Sequence, residues 1–389
     1  MGDHNKVIFL DSGTWQGFLD LAGALRVHGV KVARVGLRTS SPRLRAMQRL
    51  ESWVLGPLSR EVDGGREAGR PASISPAALA EVTGVHVLDM QIQDDLAISA
   101  LEAEGGVADP RRRVAAGVDP MVLVDKRVQQ LWAQKADVPT PRTWDTACSD
   151  SFPVVVKANV AFGGRGVRIA HDAEELAQAW AELTTLFGQA PYAQEYLGWA
   201  PSTGGVAMDG EALVCVAYEG RPSPGDPTGP PQTVVAIDDP VAVELTARFL
   251  RTLGYTGFFC LDWVVDAQGS PRLIDFNARV FGSWVALQAQ GFDLISAYLH
   301  TLGLGPGPDG RRGQFGVAEQ TMRYPCPTAD SVKDVWRWRA DSLGVVRARK
   351  PWLGQRWSTA MRVRTEIGAL RALPVAIRRR APRAADQDT

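Results

Sequence analysis

The run Val154-Val155-Val156-Lys157-Ala158-Asn159, followed by Ala161-Phe162-Gly163-Gly164-Arg165-Gly166-Val167, constrains this chain more than any other feature. Three β-branched residues predict a strand, and the strand ends in a lysine. Glycines let backbone N–H groups approach phosphate oxygens without a Cβ in the way, and the lysine supplies a point charge. The loop runs into a second apolar stretch, Val167 to Ala170, and not into a helix. It is therefore no Walker P-loop, whose glycines open a helix. Taken alone, a glycine-rich hairpin is also a plain structural element.

A second constellation follows roughly a hundred residues later. Phe258 to Val265 and Pro271 to Phe276 read as paired strands around the turn Asp266-Ala267-Gln268-Gly269. Asp262 sits on the first strand. Asp275, Asn277 and Arg279 follow at period two, which predicts one shared face of the second. Carboxylates with an amide oxygen suit Mg²⁺, which takes oxygen ligands and shares them with substrate phosphates. Arg279 beside them neutralises charge that develops in phosphoryl transfer. The plain alternative is a polar, solvated strand face. Against it, Asn277 is one of only three asparagines, with Asn5 and Asn159, and arginine outnumbers lysine 36 to 7. Lysine and asparagine at demanding positions are thus not background.

In this order the two regions resemble the ATP-grasp superfamily, in particular its carbamoyl-phosphate-synthase-like and biotin-carboxylase-like domains. Asp125-Lys126 ahead of a helix and Val138-Pro139-Thr140-Pro141 are similar to the family's first ATP lysine and the segment after it. Tyr192-Ala193-Gln194-Glu195-Tyr196-Leu197 looks like its adenine hinge, and Gly254-Tyr255-Thr256-Gly257-Phe258 like the approach to its first metal carboxylate. The resemblance spans about residues 85 to 310 and implies a mixed α/β and α+β multidomain chain. It implies a Rossmann-like pre-ATP-grasp domain over 1–118 and an ATP-grasp domain over 119–310, with a small lobe at 145–195 and a larger one at 196–310. A basic C-terminal extension then covers 311–389.

The resemblance also implies roles. ATP is held by Lys126, Lys157, Gly163, Gly164, Arg165 and Gly166, and at the hinge by Gln194, Glu195, Tyr196 and Leu197. Mg²⁺ or Mn²⁺ is held by Asp262, Asp275 and Asn277. Arg279 and Lys157 are the catalytic residues, and Arg279, Gly282 and Ser283 face the substrate. Asp275 stands where the family usually has Glu, so bridging two metals needs a closer backbone or one contact fewer. The implied reaction is an ADP-forming carboxylate–amine ligation through an acyl phosphate, in specialised metabolism. The alternatives are carboxyphosphate chemistry of the carboxylase or carbamoyl type, and a non-catalytic nucleotide-binding protein.

Before these regions, Val7 to Leu10, Phe18 to His28 and Lys31 to Val35 read as strand, helix and strand, an order that predicts a parallel sheet. Val85 to Asp89 reads as a further strand, followed by a helix near Asp94 to Glu104. Residues 59–78 and 222–231 are rich in Gly and Pro and read as loops. The four cysteines have no C-x-x-C spacing and no secretory signal precedes them, which predicts reduced thiols in a cytoplasmic protein. Acidic and basic residues balance at 43 each, giving no charge signal for nucleic acid. The balance hides an asymmetry, because residues 311–389 carry a net +10 and residues 1–310 a net −10. Trp336, Trp338, Trp352 and Trp357 interleave there with arginines. The region reads as a helical cap on the acidic part, with a homodimer contact or docking to a membrane or carrier protein as alternatives. The final residues, 381–389, read as disordered.

Overall fold

A computed structural model describes residues 6–11, 16–37, 60–62, 64–65, 73–74, 87–92, 113–161, 164–199, 201–221, 233–309, 313–320 and 332–380. Three main sheets organise them. The first contains β1 (Lys6–Asp11), β2 (Lys31–Leu37), β3 (Arg60–Val62) and, after the two-residue pair β4 (Gly64–Gly65) and β5 (Ser73–Ile74), β6 (Val87–Ile92). Its order is β3-β2-β1-β6 with every pairing parallel. This is the arrangement the strand–helix–strand order predicts, with α1 (Gln16–Val27) as the crossover. The strand expected over 85–89 runs from Val87 to Ile92. The helix expected near 94–104 and the loop 222–231 lie outside the described residues.

The second sheet is antiparallel, in the order β7 (Thr143–Trp144), β10 (Tyr192–Glu195), β8 (Val154–Lys157), β9 (Val167–Ala170). Val154, Val156 and Ala170 pack there against Leu176, Ala179 and Leu183 of a helix over Ala173–Phe187. The third sheet joins β11 (Gly198–Trp199), β12 (Ser202–Met208), β13 (Glu211–Arg221), β14 (Thr233–Ile237), β15 (Gly257–Val265), β16 (Pro271–Asn277) and β17 (Ala318–Gln320). Strand β17 pairs with β14, so this sheet reaches past residue 310.

Numbered in chain order, the helices after α1 are α2 (Lys126–Lys135), α3 (Ala173–Phe187), α4 (Pro240–Leu253), α5 (Trp284–Ala289), α6 (Leu294–Thr301) and α7 (Val332–Arg380). Helix α7 is broken at Gly354, where φ is 84°. Its tryptophans divide. Trp357 is buried, Trp352 meets Trp284 edge-on at 6.1 Å, and Trp336 is exposed beneath the Arg339 guanidinium. Val346, Leu353, Trp357 and Met361 share one core with Phe18 and Leu25 of α1 and with Phe258 and Trp284. Where α1 meets α7 the backbones nearly touch, and a Cβ on Gly23 would lie 2.7 Å from the Leu353 carbonyl oxygen. Trp357 Nε1 donates to the buried Asp20 carboxylate at 2.6 Å. Burial pushes Asp20 up to about 6, against the opposing pull of Arg349, the Trp357 hydrogen bond and Arg364. Arg339 pairs with Glu366 on its own helix rather than with the acidic part of the chain.

Candidate active site

Lys126 owes its position to a helix start. Asp125 caps α2, its Oδ1 accepting from the backbone N–H of Arg127 at 2.7 Å and of Val128 at 3.1 Å. The Lys126 N–H donates to the Asn159 carbonyl at 3.0 Å, which ties the first turn of α2 to the loop after Lys157. The Lys126 ammonium meets Asp275 Oδ1 at 2.8 Å. Lys157 ends β8 opposite Tyr192 of β10, and its Nζ donates to Gln194 Oε1 at 2.7 Å. Burial lowers Lys157 to about 8; Asp275 and Asp262 pull it up and Lys126 pushes it down. Its direct partner is a neutral amide, so no carboxylate at contact distance restores the charged form.

The loop after Lys157 closes back tightly. Ala158 N donates to Gly166 O at 2.9 Å, and a Cβ on Gly166 would fall 2.2 Å from the Ala161 Cβ. Only glycine fits there. Gly164 has φ 74°, Arg165 is exposed, and Phe162 and Gly163 lie outside the described residues.

Asp262 and Asp275 are cross-strand partners on β15 and β16, with Cys260 opposite Asn277. Asp262 accepts from Ser202 Oγ at 2.8 Å and from Asn277 Nδ2 at 3.2 Å. Burial raises its pKa and the neighbouring Asp275 charge raises it further, while Ser202, Arg279 and Lys126 oppose. Strand β16 stops at Asn277, so Arg279 lies beyond the strand and not on its face as the period-two reading predicts. It still arrives at the site, donating from Nη2 to Asn277 Oδ1 at 3.1 Å. Lys126, Gln129, Ala161, Gly164, Asp262, Asp275, Asn277 and Arg279 line one cleft of about 290 Å³ together with Leu123, Val124 and Phe276.

A family model described as "Carbamoyl-phosphate synthase L chain, ATP binding domain" matches residues 125–195. That stretch holds both lysines, the glycine loop and the hinge strand. Residues 125–195 match an ATP-binding domain of ATP-grasp type.

Among curated proteins, the chain is 28% identical over 190 residues to "Biotin carboxylase 2, chloroplastic" of Populus trichocarpa, covering 41% of this chain and 35% of that protein. It is 32% identical over 136 residues to the D-alanine--D-alanine ligase of Methylococcus capsulatus, covering 32% of this chain and 43% of the other. The alignments thus span well under half of either relative. The biotin carboxylase of Campylobacter jejuni superposes with a TM-score of 0.57 at 15% identity, covering 81% of this chain and 74% of that one. At that identity the likeness concerns the fold.

The site fits a nucleotide and a divalent cation on its own chemistry. Gln194 Nε2 and Tyr192 Oη, both on β10, are buried without a hydrogen-bond partner among the described residues, a state that a bound polar ligand would relieve. Asp262 and Asp275 are like charges side by side, and a divalent cation relieves their repulsion. Among the described residues no group of three or more His, Cys, Asp or Glu is placed to hold a metal ion, and the cleft lining brings together two carboxylates, Asp262 and Asp275, and the Asn277 amide. Gln194 and Glu195 complete β10, with Glu195 half-buried, Tyr196 exposed just beyond it and Leu197 half-buried. Gly282 and Ser283 do not line the cleft. Gly282 is exposed, and Ser283 is buried in a hydrogen bond with Tyr218.

Two residues of the site have no local sequence signature. Gln129 clamps β16, donating to Phe276 O at 2.9 Å and accepting from Phe276 N at 3.0 Å. Ser202 holds Asp262. Gln129 lies three positions after Lys126, on the α2 side facing β16, and that spacing is the one signal that could have marked it.

Proposed function

We propose that the chain is an ADP-forming carboxylate–amine ligase that uses ATP to make an amide bond. The observation that carries this is the convergence of Lys126 with the paired carboxylates Asp262 and Asp275 on one cleft, joined by the 2.8 Å contact of Lys126 with Asp275, while Lys157 stands buried beside Gln194. Lys126 and Lys157 would supply positive charge for phosphates, and Asp262 and Asp275 negative charge for a cation. Such a site works by positioning and electrostatics.

In this reading the phosphates of ATP lie between Lys126 and Lys157 under the 161–167 loop, with adenine at 194–197. Asp262, Asp275 and Asn277 would hold Mg²⁺ or Mn²⁺, which would supply charge neutralisation for the phosphates. A substrate carboxylate oxygen bonds to the γ-phosphorus as the bond to the ADP oxygen breaks. The amine nitrogen then bonds to the acyl carbon, phosphate leaves with the C–O electron pair, and the amine loses a proton. Arg279 meets the γ-phosphate of bound ATP and offsets the charge that builds on it as it transfers. Residues 1–118 would supply the pre-ATP-grasp lobe, and Gly282–Ser283 would border the acceptor end after Ser283 leaves Tyr218.

ADP release in the presence of ATP and Mg²⁺ tests this. The reading expects release that depends on both a carboxylate and an amine from pooled amino acids. Release driven by bicarbonate alone would instead mark carboxyphosphate chemistry, and nucleotide binding with no release under any addition would mark a non-catalytic protein.

A further inference from the structure

Strand β6 of the first sheet packs against the backbone beside Arg279. Asp89 and Gln91 share one of its faces by the two-residue period. Gln91 is fully buried, and its Oε1 accepts from the Val280 N–H at 3.2 Å. Its Nε2 donates to Asp89 Oδ2 at 2.7 Å and to Tyr298 Oη at 3.0 Å. Arg113 pairs with Asp89 at 2.9 Å through Nη2 and donates from Nη1 to the Ala278 carbonyl at 2.9 Å. Tyr298 donates to Asp89 as well. Burial pushes the Asp89 carboxyl up, but the Arg113 charge and the bonds from Tyr298, Arg113 and Gln91 outweigh it and hold the group below the usual carboxylate range. The Asp89 carboxylate at its centre is therefore held in the ionised form.

The two backbone groups it grips, Ala278 O and Val280 N, flank Arg279. That residue lies past the last ladder pair, Cys260 with Asn277, so the sheet does not fix it. The guanidinium also folds back onto Val280 O at 3.2 Å, and so follows the backbone at Val280. We propose that Gln91 and Arg113, braced by Asp89 and Tyr298, are positioning residues that fix Arg279 against the phosphate end of the cleft, although the Val280 N–H that Gln91 grips lies 189 residues away in sequence. The inference rests on the role given to Arg279 in the proposed function. A packing contact alone would explain burial, but it does not require two hydrogen bonds placed on either side of one arginine.

The test uses the full chain with two readouts: amide exchange over 278–281, and affinity for a non-hydrolysable ATP analogue with Mg²⁺. Gln91→Met keeps the volume and removes the hydrogen bonds. It is expected to speed exchange over 278–281 while β1 and β2 keep their protection, and to weaken analogue binding about tenfold, the scale of a hydrogen bond to a charged group. In an Arg279→Ala background the same change is expected to add less than about twofold, because the loss already runs through Arg279. Tyr298→Phe, which keeps the ring packed on Phe258, gives a smaller loss in the same direction and serves if Gln91→Met does not fold. Unchanged exchange in both variants overturns the clamp. Faster exchange with the full tenfold loss persisting in the Arg279→Ala background overturns positioning and leaves a purely structural role. Faster exchange with Arg279→Ala binding as tightly as the wild type overturns the role of Arg279 itself, and the inference with it.

Discussion

Lys157 carries its charge under strain from burial, and its partner Gln194 gives it only an amide oxygen at 2.7 Å. With its pKa lowered to about 8, the ammonium is charged in the free protein below that pH and lost above it. Bound phosphate favours the charged form, so the pKa of the complex is higher. Nucleotide affinity measured by calorimetry should be flat below about pH 8 and fall up to tenfold per unit above it, until the pKa of the complex is reached. Gln194→Glu places a carboxylate on Lys157 and should move that break to higher pH; an unmoved break contradicts the pairing. Lys157→Ala should abolish turnover in a folded protein, a loss of several kcal/mol of transition-state stabilisation. Retention of more than about a tenth of wild-type turnover rules the role out. Asp262→Ala and Asn277→Ala should each raise the Mg²⁺ concentration needed for ADP release, and unchanged Mg²⁺ titrations in both would remove the metal site from this face.

At the scale of elements, the hairpins and the helix start after Asp125-Lys126 were legible because their chemistry is local. The lysine-ended strand β8, the start of α2 and the β15–β16 pair each lie within a short stretch of sequence. What sequence could not show depends on contacts across the fold. Gln129 meets Phe276 from 147 residues away, and Ser202 meets Asp262 from 60. Period two also carried Arg279 onto a strand that ends two residues earlier, because side-chain alternation says nothing about where ladder bonds stop. Gly166 was readable as a loop glycine, but its demand is steric. Gly166→Ala forces a Cβ toward the Ala161 Cβ at 2.2 Å, so the loop must open at a cost of about 1–3 kcal/mol. Nucleotide affinity should fall while the thermal midpoint of the third sheet and its core stays within a few degrees, measured by differential scanning calorimetry. An alanine variant with wild-type affinity would show that the tight closure is dispensable.

Across the whole molecule, α7 closes a core that the first and third sheets share, and the opposite net charges of the two parts of the chain meet where Arg349 and Arg364 act on Asp20. Deleting 331–389 uncovers Phe18, Leu25 and Trp284 and leaves Asp20 without its Trp357 donor, so the thermal midpoint should fall sharply or the protein should aggregate. Gly23→Val, which cannot approach Leu353, should reproduce part of that loss. Removing only 381–389 should be silent. A monodisperse 1–330 protein with an unchanged midpoint would refute the capping role of α7. The central claim, amide formation through an acyl phosphate, is tested most directly by oxygen transfer. Pooled amino acids labelled with ¹⁸O in the carboxylate are incubated with the protein, ATP and Mg²⁺, and the products and released phosphate are read by mass spectrometry. The account predicts an ATP-dependent amide and one ¹⁸O in each phosphate released with it; an amide formed with unlabelled phosphate, or no ATP-dependent amide from any carboxylate and amine, contradicts it.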